Sequence, residues 1–232
     1  RRYAVIVGSG SFNPLTRMHL RTFYIAKQCI EKSTDMVILG SLLSPGHSSL
    51  VRERYRTSPL EMIPSPHRLA IAQLAVEESK WMSIDPWEIT RRRAMDYLSL
   101  LEHVSVMLSR DEDLHHVDIR VLYLCKANTV PKLSPVALRK SNFGVVCVCR
   151  PPESDILMDS LGSRWKGLLY VAEDMAIVDA SMDTVSSRRV RNKLKANESV
   201  ETLVGDSVAA YFKAHRIGLK MAGVEPWEES EK

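Results

Sequence analysis

Short β-branched runs alternate along the chain with segments whose apolar residues fall at helical spacing. Residues 3–7 form the first such run, ended by Gly8-Ser9-Gly10-Ser11. From 16 to 30 apolar residues recur at Leu20, Phe23, Tyr24, Ala26 and Ile30, which predicts a helix. Residues 36–40 read as a second buried strand and complete a strand, loop, helix, strand unit. The stretch 44–66 fits neither period and reads as a long loop, a form that is commonly functional. Helical spacing returns over 67–79, a short strand follows at 81–84, and a longer helix is predicted over 89–108. Residues 109–117 are charged and read as a surface connection. Three more strands are expected at 119–125, 143–149 and 168–171, with Pro151-Pro152 stopping the second of them. Residues 186–195 and 204–215 close the series as helices.

Strands that alternate with helices predict a parallel sheet covered on both faces. The expected class is α/β: a Rossmann-like doubly wound parallel sheet with a helical part at its C-terminal side. It is expected as one domain over 1–232, with its core from about 3 to 215 and a tail from 216 to 232. In such sheets ligands bind beyond the carboxyl ends of the strands, so the loop after the first strand is the first candidate site.

Composition agrees and removes several classes. Hydrophobic residues make up 45% and charged residues 26%, a globular mix that at this length buries a core unaided. No run reaches the roughly 18 apolar residues of a membrane span, and Ala4 to Val7 is far too short for a signal-peptide core. Lys+Arg 32 against Asp+Glu 28 leaves +4, spread along the chain rather than gathered as in dedicated nucleic-acid binders. Neither nucleic acid nor membrane is an expected partner, and self-association as a homo-oligomer is left open. Cys29, Cys125, Cys147 and Cys149 lie in or beside apolar runs without metal-ligand spacing. They read as core thiols of a reducing compartment, the cytoplasm or nucleus, with Cys147 and Cys149 on one face of a strand.

The candidate chemistry sits in Gly8-Ser-Gly10-Ser11-Phe12-Asn13-Pro14-Leu15-Thr16-Arg17-Met18-His19. Two glycines, two serines and a proline at a strand-to-helix turn leave backbone N–H groups free. With the positive end of the following helix they suit a phosphate. Thr16 and His19, three residues apart, share a helix face that looks back at such a ligand. Neither GxxxxGK[ST] nor GxGxxG is met, since the lysine is missing from one and Pro14 interrupts the other.

The string Gly10-Ser-Phe-Asn-Pro-x-Thr-x-x-His19 resembles the signature of the nicotinamide mononucleotide adenylyltransferases, in the nucleotidyltransferase superfamily. Three further segments are similar to that family in order and spacing, from about residue 4 to 215. Trp81-Met-Ser-Ile-Asp85-Pro-Trp87-Glu88 resembles its W-x-x-V-D-x-W-E, residues 145–150 its strand ending in arginine, and Val185-Ser-Ser-Arg-Arg-Val-Arg191 its I-S-S-T-x-I-R. The resemblance implies adenylyl transfer from ATP to nicotinamide or nicotinate mononucleotide, giving NAD or its deamido form and pyrophosphate. Such transfers rest on in-line positioning, a divalent ion and positive charge on the leaving phosphates. The implied roles are His19 and Arg191 as catalytic groups, with Arg191 on the leaving pyrophosphate. Gly10, Ser11 and Phe12 would hold phosphate through their backbone, and Thr16, Arg150 and Ser187 would contact the nucleotide. Each also has a plainer reading: Ser186 and Ser187 as helix caps, Arg191 as a helix-surface charge, Arg150 as a solvated strand end. Trp81 and Trp87 read mainly as core. The implied metal is Mg2+ arriving with ATP, with no tightly bound cofactor.

The departures from the family concern the acceptor. Its L-C-G-A-D is here Leu124-Cys-Lys126-Ala-Asn128, so a cation replaces the glycine and an amide the acid. Lys126 would clash with a ligand, point away or meet a phosphate. The family's two rings that stack on the pyridine have no counterpart at Ala94 or in 129–140, where a stacked ring contributes about 1–3 kcal/mol. The stretch 44–66 is longer than the family's phosphate-contacting loop, so the basic residue of that loop is not assigned by position; Arg52, Arg54 or Arg56 could supply it. Two alternatives follow: a catalytically weak ATP-binding or interaction module of the same fold, or an adenylyltransferase for another phosphorylated acceptor.

Overall fold

The computed structural model describes residues 2–174 and 185–228. Six strands lie in the order β3-β2-β1-β4-β5-β6. They are β1 (Arg2–Gly10), β2 (Met36–Pro45), β3 (Met82–Ile84), β4 (Ile119–Cys125), β5 (Gly144–Cys149) and β6 (Leu169–Glu173). The order reverses direction at β1 and β4, which pair in parallel from Tyr3 with Ile119 to Val7 with Tyr123. The pairs β4–β5 and β5–β6 are parallel as well. β5 is buried at every position, as a strand covered on both faces must be. The Rossmann-like α/β expectation therefore holds.

The chain forms two compact units, each assembled from three separate stretches. One comprises Arg1–Ser9, Arg21–Leu42 and Asp96–Ala180; the other Gly10–Leu20, Leu43–Met95 and Ser181–Lys232. In the first, the strand residues Ala4 to Val7, Val121, Leu122 and Val145 to Cys147 are buried side by side. Arg21 closes its helix onto the end of β6 with a two-pronged bond to Asp174, at 2.9 and 2.8 Å. All four cysteines are free thiols. Cys125 stands opposite Cys147 across the β4–β5 pair, and burial pushes its thiol up to about 12 and that of Cys147 higher still, so both are inert core groups.

Helix bounds depart from the periodicity wherever a cap or a glycine intervenes. The helix after β1 is α1 (Arg17–Ser33). Within the expected loop lies α2 (Ser48–Arg54), followed by a 3-10 turn at Pro59–Glu61 and by α3 (Ser65–Val76). The helix expected from 89 starts later, as α4 (Tyr97–Arg110), because Asp96 caps it by accepting the Ser99 N–H at 2.8 Å. The pattern also misses α5 (Pro135–Lys140) and α6 (Pro151–Ser160). The proline pair that ends β5 also opens α6, since a first helical turn needs no N–H donor.

The second unit ends in α7 (Ser187–Lys195), α8 (Glu201–Val204), α9 (Asp206–Ala214) and α10 (Ile217–Met221). Gly205 at φ 97 breaks the helix expected over 204–215 into α8 and α9, a backbone angle that favours glycine. Ile217 and Met221 are buried in one cluster with Ile63, Ile71, Val190, Val204 and Phe212. The expected tail from 216 is thus part of the core as far as Met221, and its last four residues lie outside the described ones.

Gly218 marks where α10 meets α7. A Cβ there would run into the Leu194 carbonyl group, with its carbon only 3.0 Å away. Backbone cannot move aside as a side-chain tip can. Gly218→Ala is therefore expected to destabilise the fold by about 1–3 kcal/mol, read as a lower urea midpoint with an unchanged slope; an unshifted midpoint would refute this packing.

Candidate active site

The loop between β1 and α1 is shaped by bonds to its carbonyl groups. Gly10 O accepts the Gly46 N–H at 2.8 Å. Ser11 O accepts Arg68 Nη1 at 2.9 Å, and the same nitrogen reaches Gly46 O at 3.0 Å. Asn13 O accepts Arg191 Nη1 at 2.8 Å, and Pro14 O accepts the Ser187 hydroxyl at 2.8 Å. The Asn13 side chain, 1% exposed, anchors the loop's middle by donating to Glu61 O and accepting the Ile63 N–H, both at 2.8 Å.

Phe12 sits at φ 39, the left-handed region, which costs a non-glycine residue about 1–3 kcal/mol unless its surroundings fix it. Its ring lies over Gly10, where a Cβ would stand in tight contact, 3.0 Å from Phe12 Cε1. Alternating right- and left-handed residues turn successive N–H groups to one side and form an anion-binding concavity. The Ser11 and Phe12 N–H groups have no partner among the described residues. Their predicted role as a phosphate cradle suits this geometry.

His19 stands edge-on to the Phe12 ring, 5.3 Å between centroids. The Thr16 N–H donates to His19 Nδ1 at 3.0 Å, and the Thr16 hydroxyl lies 2.9 Å from the same atom. A main-chain N–H can only donate, so Nδ1 accepts and the ring proton sits on Nε2. Thr16, expected at the nucleotide, is buried and its hydroxyl faces the imidazole.

Arg191 and Ser187, expected at the phosphates, both bond the loop. Arg191, 5% exposed, bonds Asn13 O and places Nε 3.2 Å from Glu61, with its guanidinium 4.9 Å from the Tyr55 ring centroid. These bonds tie the guanidinium to the loop and to the Glu61 carboxylate. Glu61 also takes Lys195, and the Lys195 bond followed by the Arg191 bond holds its carboxyl below the usual carboxylate range. Ser187 is the first residue of α7 but not its cap: Ser186 accepts the Arg189 N–H, while the Ser187 hydroxyl is taken by Pro14.

Among the three arginines of the 44–66 stretch the structure distinguishes one. Arg54 donates to the Ser11 hydroxyl at 3.0 Å, whereas Arg56 is exposed and 3.8 Å from Glu53. Arg68 was not among the expected residues. It is wholly buried, and burial pulls its pKa down to about 10, which still leaves it a cation at neutral pH. The available signal was a charge in the first turn of the otherwise apolar helix Ser65–Val76.

An open cleft of about 450 Å³ is lined by Trp87, Thr90, Arg91, Arg92, Arg93 and Met95. Arg91 lies 5.2 Å over the Trp87 ring, so Trp87 is wall rather than core. In the other unit, Arg150 is exposed where β5 gives way to α6, its N–H held by Glu153 at 3.1 Å. Lys126 and Asn128 are exposed on the turn after β4, where the Thr129 N–H closes onto Lys126 O at 2.9 Å. Among the described residues no group of three or more His, Cys, Asp or Glu is arranged to hold a metal ion, and no helix is long and apolar enough to cross a membrane.

The chain is 29% identical to a nicotinamide/nicotinic acid mononucleotide adenylyltransferase of Oryza sativa subsp. japonica, over 94% of this chain and 86% of the relative. With the Arabidopsis thaliana protein of the same description it shares 27% over 92% of this chain and 89% of the relative. A crystal structure of a Vibrio parahaemolyticus protein, assigned as a nicotinate-nucleotide adenylyltransferase, superimposes with a TM-score of 0.52. It is 12% identical, and the match covers 94% of this chain and 96% of that one, a likeness of fold. The model of the cytidylyltransferase-like family matches residues 7–193, from Val7 within β1 to Lys193 within α7, and the chain belongs to that family.

Proposed function

We propose that this chain transfers the adenylyl group of ATP to nicotinamide or nicotinate mononucleotide, forming NAD or its deamido form and releasing pyrophosphate. The observation that carries the reading is the loop whose Gly10, Ser11, Asn13 and Pro14 carbonyls are drawn to protein partners, while the Ser11 and Phe12 N–H groups beside His19 have none among the described residues. Relatives of this description over most of the chain support the same reaction.

In this reading a phosphate oxygen of the mononucleotide attacks the α-phosphorus of ATP. The bond from that phosphorus to the bridging oxygen breaks, and pyrophosphate leaves with the electron pair. The chain's task is to hold these groups in line and stabilise the charge that gathers on the departing oxygens. Ser11 and Phe12 N–H groups bind phosphate, and Arg54, held at Ser11, adds positive charge beside it. His19 donates through Nε2, its orientation fixed by Thr16. Arg191 and Ser187 act one step back by holding the loop's carbonyls.

Magnesium would come with the nucleotide rather than be held by a cluster of protein carboxylates, and would supply screening of the triphosphate charge. Glu61 is engaged by Lys195 and Arg191, and Glu88 by Ser44 at 3.3 Å. For the acceptor, the cleft beside Trp87 joins an aromatic wall to three arginines, a surface suited to an anionic, ring-bearing nucleotide. Four free thiols accord with a reducing compartment, the cytoplasm or nucleus.

The test is pyrophosphate and dinucleotide formation from ATP, magnesium and each mononucleotide in turn. His19→Ala is expected to lower kcat by about 100- to 1,000-fold, as loss of one aimed donor does; full turnover in that variant would remove His19 from the mechanism. ATP binding by calorimetry without turnover on either mononucleotide would refute the transferase reading. Arg54→Ala is expected to raise the KM for ATP about tenfold, as loss of a charge-assisted contact does. Arg52→Ala and Arg56→Ala should leave it unchanged, and equal effects at all three positions would show only general charge attraction.

A further inference from the structure

Arg68 presents an imbalance that a packing role does not explain. A fully buried guanidinium is costly to desolvate, and such groups ordinarily face a carboxylate. This one gives Nη1 to two main-chain carbonyls, Ser11 O at 2.9 Å and Gly46 O at 3.0 Å, and places Nη2 3.3 Å from the Ser65 hydroxyl. Its Nε has no partner among the described residues. Carboxylate charge is near, since Glu88 opposes the effect of burial on its pKa, yet the hydrogen bonds of the guanidinium go to two main-chain carbonyls and a hydroxyl.

The consequence follows from peptide geometry. In a planar trans peptide the C=O of one residue and the N–H of the next point in opposite directions. Arg68 grips Ser11 O, so the Phe12 N–H is turned away from the buried side. The neighbouring peptide is oriented in the same manner, because the Gly46 N–H grips Gly10 O and turns out the Ser11 N–H. Arg68 also holds Gly46 O, so one nitrogen fixes both the peptide it orients and the residue that orients the next. Two successive amides therefore face outward because the carbonyls behind them are held.

We propose that Arg68 is a positioning residue for the nucleotide's phosphates: it aims the Phe12 amide, and through Gly46 the Ser11 amide, at the triphosphate without touching it. The inference rests on the adenylyltransferase reading for its substrate but not for its geometry. It makes nucleotide affinity depend on a residue buried behind the loop, and it leaves the acceptor outside that dependence.

Two measurements test it. In the wild-type chain labelled with 15N, inorganic pyrophosphate should shift the Ser11 and Phe12 amide resonances most strongly among residues 8–19; if both stay in place at saturation, the proposal is overturned. In Arg68→Met the KM for ATP should rise about tenfold or more, as expected when a donor to a charged group loses its aim, with the acceptor KM unchanged. Arg68→Lys, which keeps a donor for the carbonyls, should recover most of the loss. A folded Arg68→Met with wild-type KM for ATP, or with both KM values raised alike, would reduce Arg68 to a structural role. If Arg68→Met does not fold, the wild-type amide shifts decide. Absence of turnover on either mononucleotide would sink the substrate reading alone, because the pyrophosphate measurement needs no acceptor.

Discussion

A loop can present backbone donors to an anion only if something else holds the carbonyls that alternate with them. Here that holding is done at Gly10, Ser11, Asn13 and Pro14, by Gly46, Arg68, Arg191 and Ser187 respectively. The partners come from the end of β2, from α3 and from α7, so the loop's shape is a product of the whole second unit rather than of its own sequence. The left-handed Phe12 persists under the same constraint, since a strained residue survives only where its neighbours over-determine it. Rigidity of this kind matters for a reaction that asks for position and charge more than for covalent help.

The strands were legible because their signal is local. β4 runs over 119–125 as the β-branched alternation predicts, and β5 and β6 begin within one residue of expectation. Helix bounds were less so, for reasons that lie outside periodicity. Apolar spacing continues through 89–96, yet Asp96 caps the helix there; it continues across Gly205, yet the backbone turns at φ 97. The stretch 44–66 lacks a repeating apolar face because α2 spans only two turns and buries a single residue, Val51. α10 escaped since five residues carry no period, although its burial against α7 is complete at Ile217.

At the site, the sequence pointed to residues that the structure brings together but not to the protein partners they take. Gly10, Ser11, Phe12 and His19 lie where the motif implied. Arg191 and Ser187 lie close by but turn toward the loop instead of outward. The reason is chemical: a guanidinium fork or a hydroxyl suits a main-chain carbonyl as well as a phosphate, and residue type alone does not choose between them. Arg68 and Asn13 were missed from the opposite direction. A charge on an apolar helix reads as an irregularity until its carbonyl partners are known, and Asn13 reads as a turn residue until Glu61 and Ile63 are seen on either side of its amide.

The departures from the relatives' pattern take on a different weight once this division is clear. Lys126, Asn128 and the aromatic-free stretch from 129 belong to the first compact unit, and the turn they form is exposed. Every residue that grips the loop belongs to the second. Substitution at 126–129 therefore leaves each of the loop's carbonyl bonds intact, and the phosphate cradle imposes no constraint on what that turn recognises.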